Sequence, residues 1–430
     1  MIERVVVAGG GTGGHLFPGI AVVEELRRRN ALLEACFVGT ERGIEARVVP
    51  SLGERLEVLD VRPLKGADAA SFVKSLMKLP GAWGRAVSLL REVEPDVVIG
   101  VGGYASGPML AAAASMGIPA AILEQNAQLG LTNRVLAPVI GRAYLAFPET
   151  ASHFGERARV VGNPVRRAFV EAARLASSDP DAMELRARRI LVLGGSQGAK
   201  VLNEVVPGAL ARAGIAAHGI EVLHQTGAAM RGEVEARYRA LGIQADVVSF
   251  IDDVARAYAS AMLVIARAGA TTLAELCAIG RPALLIPYPH AADDHQTRNA
   301  ETLAAAGAAI VIRQEALDLD RLGREVAALV ENPARRRAMA VAARAKGRPD
   351  AAAAIVDDLI AWVGGKPLTP ARIATIPPPR RDPEPGMAFA HVDFRAGRGR
   401  IGAQRPSLRP LARFEPAIPP ARQTGTALAR

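Results

Sequence analysis

Cysteine is nearly absent, and neither a leader nor a membrane span is expected from the residue pattern. Two cysteines in 430 residues, Cys36 and Cys277, supply no disulfide framework and no metal-ligand spacing. A reducing compartment is therefore expected, with both thiols serving as small core groups. The opening residues lack a basic segment followed by ~7 to 15 apolar residues and a cleavage site, and no stretch reaches about 18 uninterrupted apolar residues. A cytoplasmic chain that does not cross a bilayer is the expectation.

Net charge is also scarce once it is located. The chain carries +10 in total, but Lys366 to Arg430 holds one Lys and eleven Arg against four acids, a net of +8, and leaves +2 for everything before it. The body is nearly neutral, so nucleic acid is not an expected partner for it. The stretch 364–430 also holds 12 of the 29 prolines and no hydrophobic period, the composition of a disordered segment. Contact with anionic lipid or nucleic acid and a passive extension both fit that tail.

Half of the residues are hydrophobic, enough in a chain of this length to fill two cores. Short apolar runs alternate with helix-like segments from the first residue: RVVVAG, ACFVGT, LEVLDV, DVVIGVGG, AAILEQ, RAYLAF and ARVVG. This pattern predicts a parallel sheet covered on both faces. Asn163-Pro164 interrupts it. The pattern restarts with RRILVLGGSQGAKVLNEVV and continues through IEVLHQTG, ADVVSFIDD, MLVIARAG, PALLIPYP and AAIVIR. The expected class is α/β, with two tandem Rossmann-like doubly wound halves over 1–165 and 166–345, a closing helix over 346–363 and the tail 364–430.

Four glycine-rich loops each follow an expected strand: VVVAGGGTGGHLFPG, GVGGYASGP, LGGSQGA and RAGATTLAE. Strand, glycine loop and helix together offer backbone N–H groups and a helix N-terminus to a phosphate. Gly9, Gly11 and Gly14 formally satisfy a dinucleotide fingerprint, with Glu41 as the candidate ribose acid; the same glycines could simply permit a tight turn. A nicotinamide dehydrogenase needs one diphosphate cradle, and four such loops suit two diphosphate-bearing substrates better. In RAGATTLAE, Thr271 and Thr272 fall at a helix start and Glu275 one turn on, placed for a ribose diol or as a complement to the helix dipole. In PYPHAADDHQTRNA the acids Asp293 and Asp294 are adjacent rather than convergent, so no metal site is expected. His295 and Gln296 there suit sugar hydroxyls.

Taken in order, GGTGGHLFPGIA, GVGGYASGP, EQNAQLGLTNR, VVGNPVR, LGGSQGA, FIDD and RAGATTLAE with HAADDHQTRNA resemble the MurG family of bacterial glycosyltransferases, from residue 5 to about 300, with the same spacing continuing to about 363. The resemblance implies a GT-B fold and an inverting, metal-independent, cofactor-free transfer of N-acetylglucosamine. The donor would be UDP-GlcNAc and the acceptor the C4 hydroxyl of lipid-linked MurNAc-pentapeptide (lipid I), giving lipid II for peptidoglycan. It implies residence at the cytoplasmic face of the bacterial inner membrane, with an anionic membrane surface and other cell-wall synthesis proteins as further partners.

Carried over by position, the resemblance assigns the uracil to the backbone of Ile251. It assigns the UDP diphosphate and ribose to Ala270, Thr271, Thr272, Leu273, Ala274 and Glu275, and a phosphate to Ser196. The donor sugar falls to Gln296 and His295 from the second half and to Thr12, Gly13, Gly14 and Asn126 from the first, with Arg166 as a further donor contact. The acceptor would face Gly11, Gly102, Gly103, Tyr104 and Ser106. Leu123 stands where some members carry histidine.

An inverting transfer needs a base for the acceptor hydroxyl and a sink for the departing diphosphate. His15 is the leading base, with Glu124 and Tyr104 as rivals, and a helix-capping or loop-bonding role for His15 stays open. Between Ser71 and Val87, the apolar Phe72, Leu76, Leu79 and Trp83 are interleaved with Lys74, Lys78 and Arg85. That is the makeup either of an interfacial membrane element or of an ordinary amphipathic helix.

Overall fold

The computed structural model describes residues 1–41, 43–61, 69–178, 187–195, 198–291 and 294–364, with only the backbone for 69–79. The tail from residue 365, Ser196, Asp293 and the side chains of Phe72, Lys74, Leu76, Lys78 and Leu79 lie outside the described residues.

All seven apolar runs of the first half become strands of one parallel sheet: β1 (Arg4–Gly9), β2 (Glu34–Gly39), β3 (Arg55–Val58), β4 (Val97–Gly102), β5 (Ala120–Glu124), β6 (Arg142–Leu145) and β7 (Ala158–Val160). Their order is β3-β2-β1-β4-β5-β6-β7. The six runs of the second half form β8 (Arg189–Leu193), β9 (Glu221–Gln225), β10 (Ala245–Val248), β11 (Ala261–Ala266), β12 (Ala283–Leu285) and β13 (Ala309–Val311), ordered β10-β9-β8-β11-β12-β13. Both sheets therefore reverse direction between their first and fourth strands. These are the topological switch points where ligands of open α/β sheets bind.

Each sheet is buried on both faces, which is why its strands read as unbroken apolar runs rather than alternating ones. In β1, Val5 and Val7 pack with helix α1 (Gly13–Arg29), while Val6 and Ala8 face the opposite layer. That layer holds α3 (Ala69–Val93), which follows the short α2 (Glu45–Ser51), and α4 (Ser106–Ser115); α5 (Leu131–Leu136) also packs against α4. In α3, Ala82, Ala86, Leu89 and Leu90 turn inward at helical spacing, and Trp83 turns outward at 45% exposure.

The halves exchange their connecting helices. After the first sheet, α6 (Arg167–Ser178) crosses to the second, where Phe169 meets Tyr258 edge-on with ring centroids 5.7 Å apart. The second half is built around α7 (Lys200–Arg212), α8 (Arg231–Ala240), α9 (Val254–Ser260), α10 (Ala270–Ile279), α11 (His295–Ala305), α12 (Leu319–Val330) and α13 (Pro333–Lys346). The last helix, α14 (Ala351–Gly364), then returns to the first sheet. It buries Ile355, Val356 and Leu359 beside α1 and lays Trp362 beneath the Arg142 guanidinium at 5.0 Å. Asp358 ties it down, accepting from Arg142 (3.1 Å), Tyr144 (2.8 Å) and Arg159 (3.0 Å).

Candidate active site

The four glycine-rich loops are the four that leave the strands flanking the two switch points, after β1, β4, β8 and β11. In the first half the two loops touch. The Gly10 amide donates to the Gly102 carbonyl at 3.1 Å, and Gly103, at φ +83°, lies so close that a Cβ there would stand 2.6 Å from the Gly10 oxygen. Only glycine permits both the conformation and the approach.

A proline explains how the second half is joined to this platform. Within α1, Pro18 has no N–H to give the carbonyl four residues before it, so the Gly14 oxygen loses its usual i+4 donor. Thr271, in the first turn of α10, donates its hydroxyl to that oxygen at 3.1 Å. A second join lies between the end of β5 and α11. There Asn299, fully buried, accepts from the Ala127 amide (3.2 Å) and donates to the Asn126 side chain (3.4 Å). The third is Arg166, which bonds Glu275 at 3.0 Å and stacks on Phe17 of α1 (4.3 Å) and Phe169 of α6 (5.2 Å). Its buried Nε has no partner among the described residues.

On the side of the second half, α10 starts at Ala270 behind Gly269 and points the unpaired amides of its first turn into the gap. Leu273 is core and Ala274 half-buried, so both offer backbone rather than side chain. Glu275 is 6% exposed; burial, against the pull of Arg166, pushes its carboxyl up to about 6. Gln296 spends its carbonyl oxygen on the amides of Ala268 (3.2 Å) and Tyr288 (3.0 Å), knitting the loops after β11 and β12, and its NH2 has no partner among the described residues. The Ile251 side chain is buried, and its amide has no partner among the described residues. Ser196 lies outside the described residues.

On the side of the first half, His15 lies against Gly102, where a Cβ would stand 2.9 Å from the ring. Its Nδ1 bonds the Gly10 carbonyl at 3.1 Å. Burial lowers its pKa, opposed by the Gly10 bond and by the Glu124 and Glu45 carboxylates and assisted by His295, so the imidazole is neutral at neutral pH. Glu124 is committed elsewhere: its two oxygens accept from Asn126 (3.1 and 3.3 Å), Gly130 (3.2 Å) and Asn133 (2.8 Å), which makes it the organiser of its own loop. Thr12 and Tyr104 are exposed, Gly13 and Gly14 half-buried. Ser106 is fully buried with its hydroxyl beside Gly100, so that side chain does not face the gap as expected for an acceptor contact. The Gly11 amide is likewise engaged, donating to Glu45 at 2.7 Å.

Two residues of this centre were missed in the sequence. Asn299 follows His295 and Gln296 by four and three positions, a spacing that puts all three on one helix face. The acid that turns in after β2 is Glu45, whereas Glu41 is exposed.

Comparison with known proteins agrees with this geometry. Residues 5–145 match the glycosyltransferase family 28 N-terminal domain and residues 189–355 its C-terminal domain. A protein of Sorangium cellulosum (strain So ce56), named UDP-N-acetylglucosamine--N-acetylmuramyl-(pentapeptide) pyrophosphoryl-undecaprenol N-acetylglucosamine transferase, is 50% identical over 83% of this chain and 87% of its own. The crystal structure of Acinetobacter baumannii MurG superposes with a TM-score of 0.67 at 32% identity, covering 83% of this chain and 99% of that one. A calicheamicin glycosyltransferase, at 18% identity and a TM-score of 0.55 over 87% and 99% of the two chains, shares the fold. The two facing doubly wound sheets are the GT-B arrangement.

Proposed function

The chain belongs to glycosyltransferase family 28, and from that membership we propose that it moves N-acetylglucosamine from UDP-GlcNAc to lipid-linked MurNAc-pentapeptide, turning lipid I into lipid II. The observation that carries this reading is the meeting of two switch points across one gap, joined by the Thr271 hydroxyl and the Gly14 carbonyl. Two diphosphate-bearing substrates need two phosphate-accepting walls, and this gap has one on each side.

In this reading the donor lies on the second half. The Ile251 amide takes the uracil, Glu275 the ribose diol, the amides of Ala270 to Thr272 and Ser196 the diphosphate, and the Gln296 NH2, with His295 and Asn126, the sugar. The acceptor lies against Gly102, Gly103 and Tyr104, with its C4 hydroxyl toward the sugar. That oxygen attacks C1 from the face opposite the UDP, the C1–O bond to phosphate breaks, and the configuration inverts. His15 takes the hydroxyl proton on Nε2, which makes no hydrogen bond to a described residue; Glu124, already holding its own loop, is not the base. The negative charge gathering on the leaving diphosphate meets the positive end of α10 and the charge of the Arg166 guanidinium.

A lipid acceptor requires the enzyme to reach a membrane surface. Among the described residues no helix is long and apolar enough to cross one. The outward Trp83 of α3 and the basic composition of Ser71–Val87 support peripheral contact with anionic lipid at the cytoplasmic face. The deciding measurement is thermal shift with UDP-GlcNAc, UDP-GalNAc and NADH at matched concentrations, followed by transfer to lipid I. Selective stabilisation by UDP-GlcNAc with product formation is expected, and a shift with NADH alone would refute the reading.

A further inference from the structure

Glu45 is 1% exposed and, among the described residues, pairs with no cation. Its Oε2 accepts from the Gly11 amide at 2.7 Å, and its Oε1 from the Thr40 amide (2.9 Å) and hydroxyl (3.0 Å). The space around it is reserved: a Cβ at Gly10, Gly39 or Gly43 would lie within 2.5 Å of its side chain. Burying a carboxylate is costly unless its acceptor sites are filled, and here three donors from two loops fill them.

The Gly11 amide and the Gly10 carbonyl belong to the same peptide unit. Its N–H points at Glu45 and its C=O at His15 Nδ1. The unit is turned that way by backbone conformations open to glycine, with φ +146° at Gly10 and +83° at Gly11. A carbonyl only accepts, so the ring proton must sit on Nδ1 and the lone pair on Nε2. A carboxylate drawing on the N–H polarises the amide and makes its oxygen a stronger acceptor, because hydrogen bonds in series reinforce one another.

We propose that Glu45 is a positioning residue for His15, acting through the Gly10–Gly11 peptide to fix the imidazole tautomer and to stabilise the imidazolium that forms when the acceptor hydroxyl is deprotonated. The arrangement does through a peptide what a carboxylate bonded directly to a catalytic histidine does in other enzymes. The inference rests on the reading of His15 as the base. It also assigns the Gly11 N–H to this relay rather than to the acceptor diphosphate, which a fixed carboxylate would repel from that end of the loop.

The test is Glu45→Gln. A carboxamide can still accept from Gly11, but it then turns its NH2 toward the Thr40 amide, donor against donor. The expected result is a kcat lower by roughly tenfold to a hundredfold, by analogy with the outer partners that orient metal-bound histidines, with KM for UDP-GlcNAc little changed. The charges facing His15 come from Glu124 at the end of β5, His295 on α11 and Glu45 itself. Removing the last should move the acidic limb of the kcat profile to lower pH, whereas a purely structural defect would lower the rate without moving the limb.

Nitrogen-15 NMR of the histidines in the full chain, with the His15 signals identified by their loss in His15→Ala, reads the tautomer without any turnover. The proposal expects the Nδ1–H form in the wild type and a mixture in Glu45→Gln. A wild-type Nε2–H form would overturn it even if the variant did not fold. So would a folded variant with unchanged tautomer and pH limb. Near-normal turnover in His15→Ala would instead remove the base assignment, a failure that the tautomer measurement keeps separate.

Discussion

Replacing Arg166 with methionine should make the protein's stability depend on pH in a way that the wild type does not show. Glu275 is buried, and burial raises its carboxyl from 4.5 to about 6 even with the Arg166 guanidinium 3.0 Å away. Because the folded value is the higher one, its contribution to stability is fully present below about 4.5 and is lost as pH rises through about 6.

Without Arg166 the same carboxyl climbs further, since an opposite charge at this range holds a carboxyl down by about one to three pH units. Between about 6 and the new value, the folded variant keeps a proton that the folded wild type has released. The stability difference therefore grows by about 1.4 kcal/mol per pH unit. For a rise of about two pH units, the variant should lose ~3 kcal/mol more against wild type at pH ~8.5 than at pH ~5.5, near the cost of stripping one partner from a buried pair. Lost stacking on Phe17 and Phe169 adds ~1 kcal/mol at every pH. Urea unfolding followed by far-ultraviolet circular dichroism at three pH values measures both parts. A loss of equal size at all three would refute the reasoning, and Glu275→Gln in the same chain should abolish the pH-dependent part.

Two other perturbations follow from the packing. Asp358 is raised by its burial and pulled down more strongly by Tyr144, Arg159 and Arg142, for a net lowering. Its contribution is therefore present above the ordinary aspartate value of 3.8 and lost as pH falls through its folded value. Asp358→Ala should cost about 1–3 kcal/mol at neutral pH and less in strong acid, as read from melting curves at the two pH values. Trp83→Ala should leave the melting temperature within a degree or two, since the ring is solvent-facing, and weaken co-sedimentation with anionic vesicles; unchanged co-sedimentation would count against α3 as the membrane contact.

The halves of the fold were legible because their signals are local. Each buried parallel strand announced itself as an apolar run, and each switch-point loop as a glycine cluster following such a run. The closing helix was legible as a helix but not in its destination: nothing in AAAAIVDDLIAWV says that Asp358 will find Arg142 and Tyr144 of the first sheet. The glycine fingerprint was legible as a tight loop, while its Gly11 amide turned out to be taken by Glu45. Pro18 stood in plain view inside α1, yet its consequence, a carbonyl left for Thr271, appears only when the second half is in place.

The sequence by itself determined the two doubly wound halves, the glycine-rich loops at their switch points and the family, because periodicity, turn residues and motif spacing are properties of neighbours along the chain. Tertiary structure decided which polar groups are spent and which remain for a substrate. Glu45 meets Gly11 across 34 residues and Asn299 meets Ala127 across 172. A hydrogen bond is set by distance and direction in space, and those exist only once both sheets have packed.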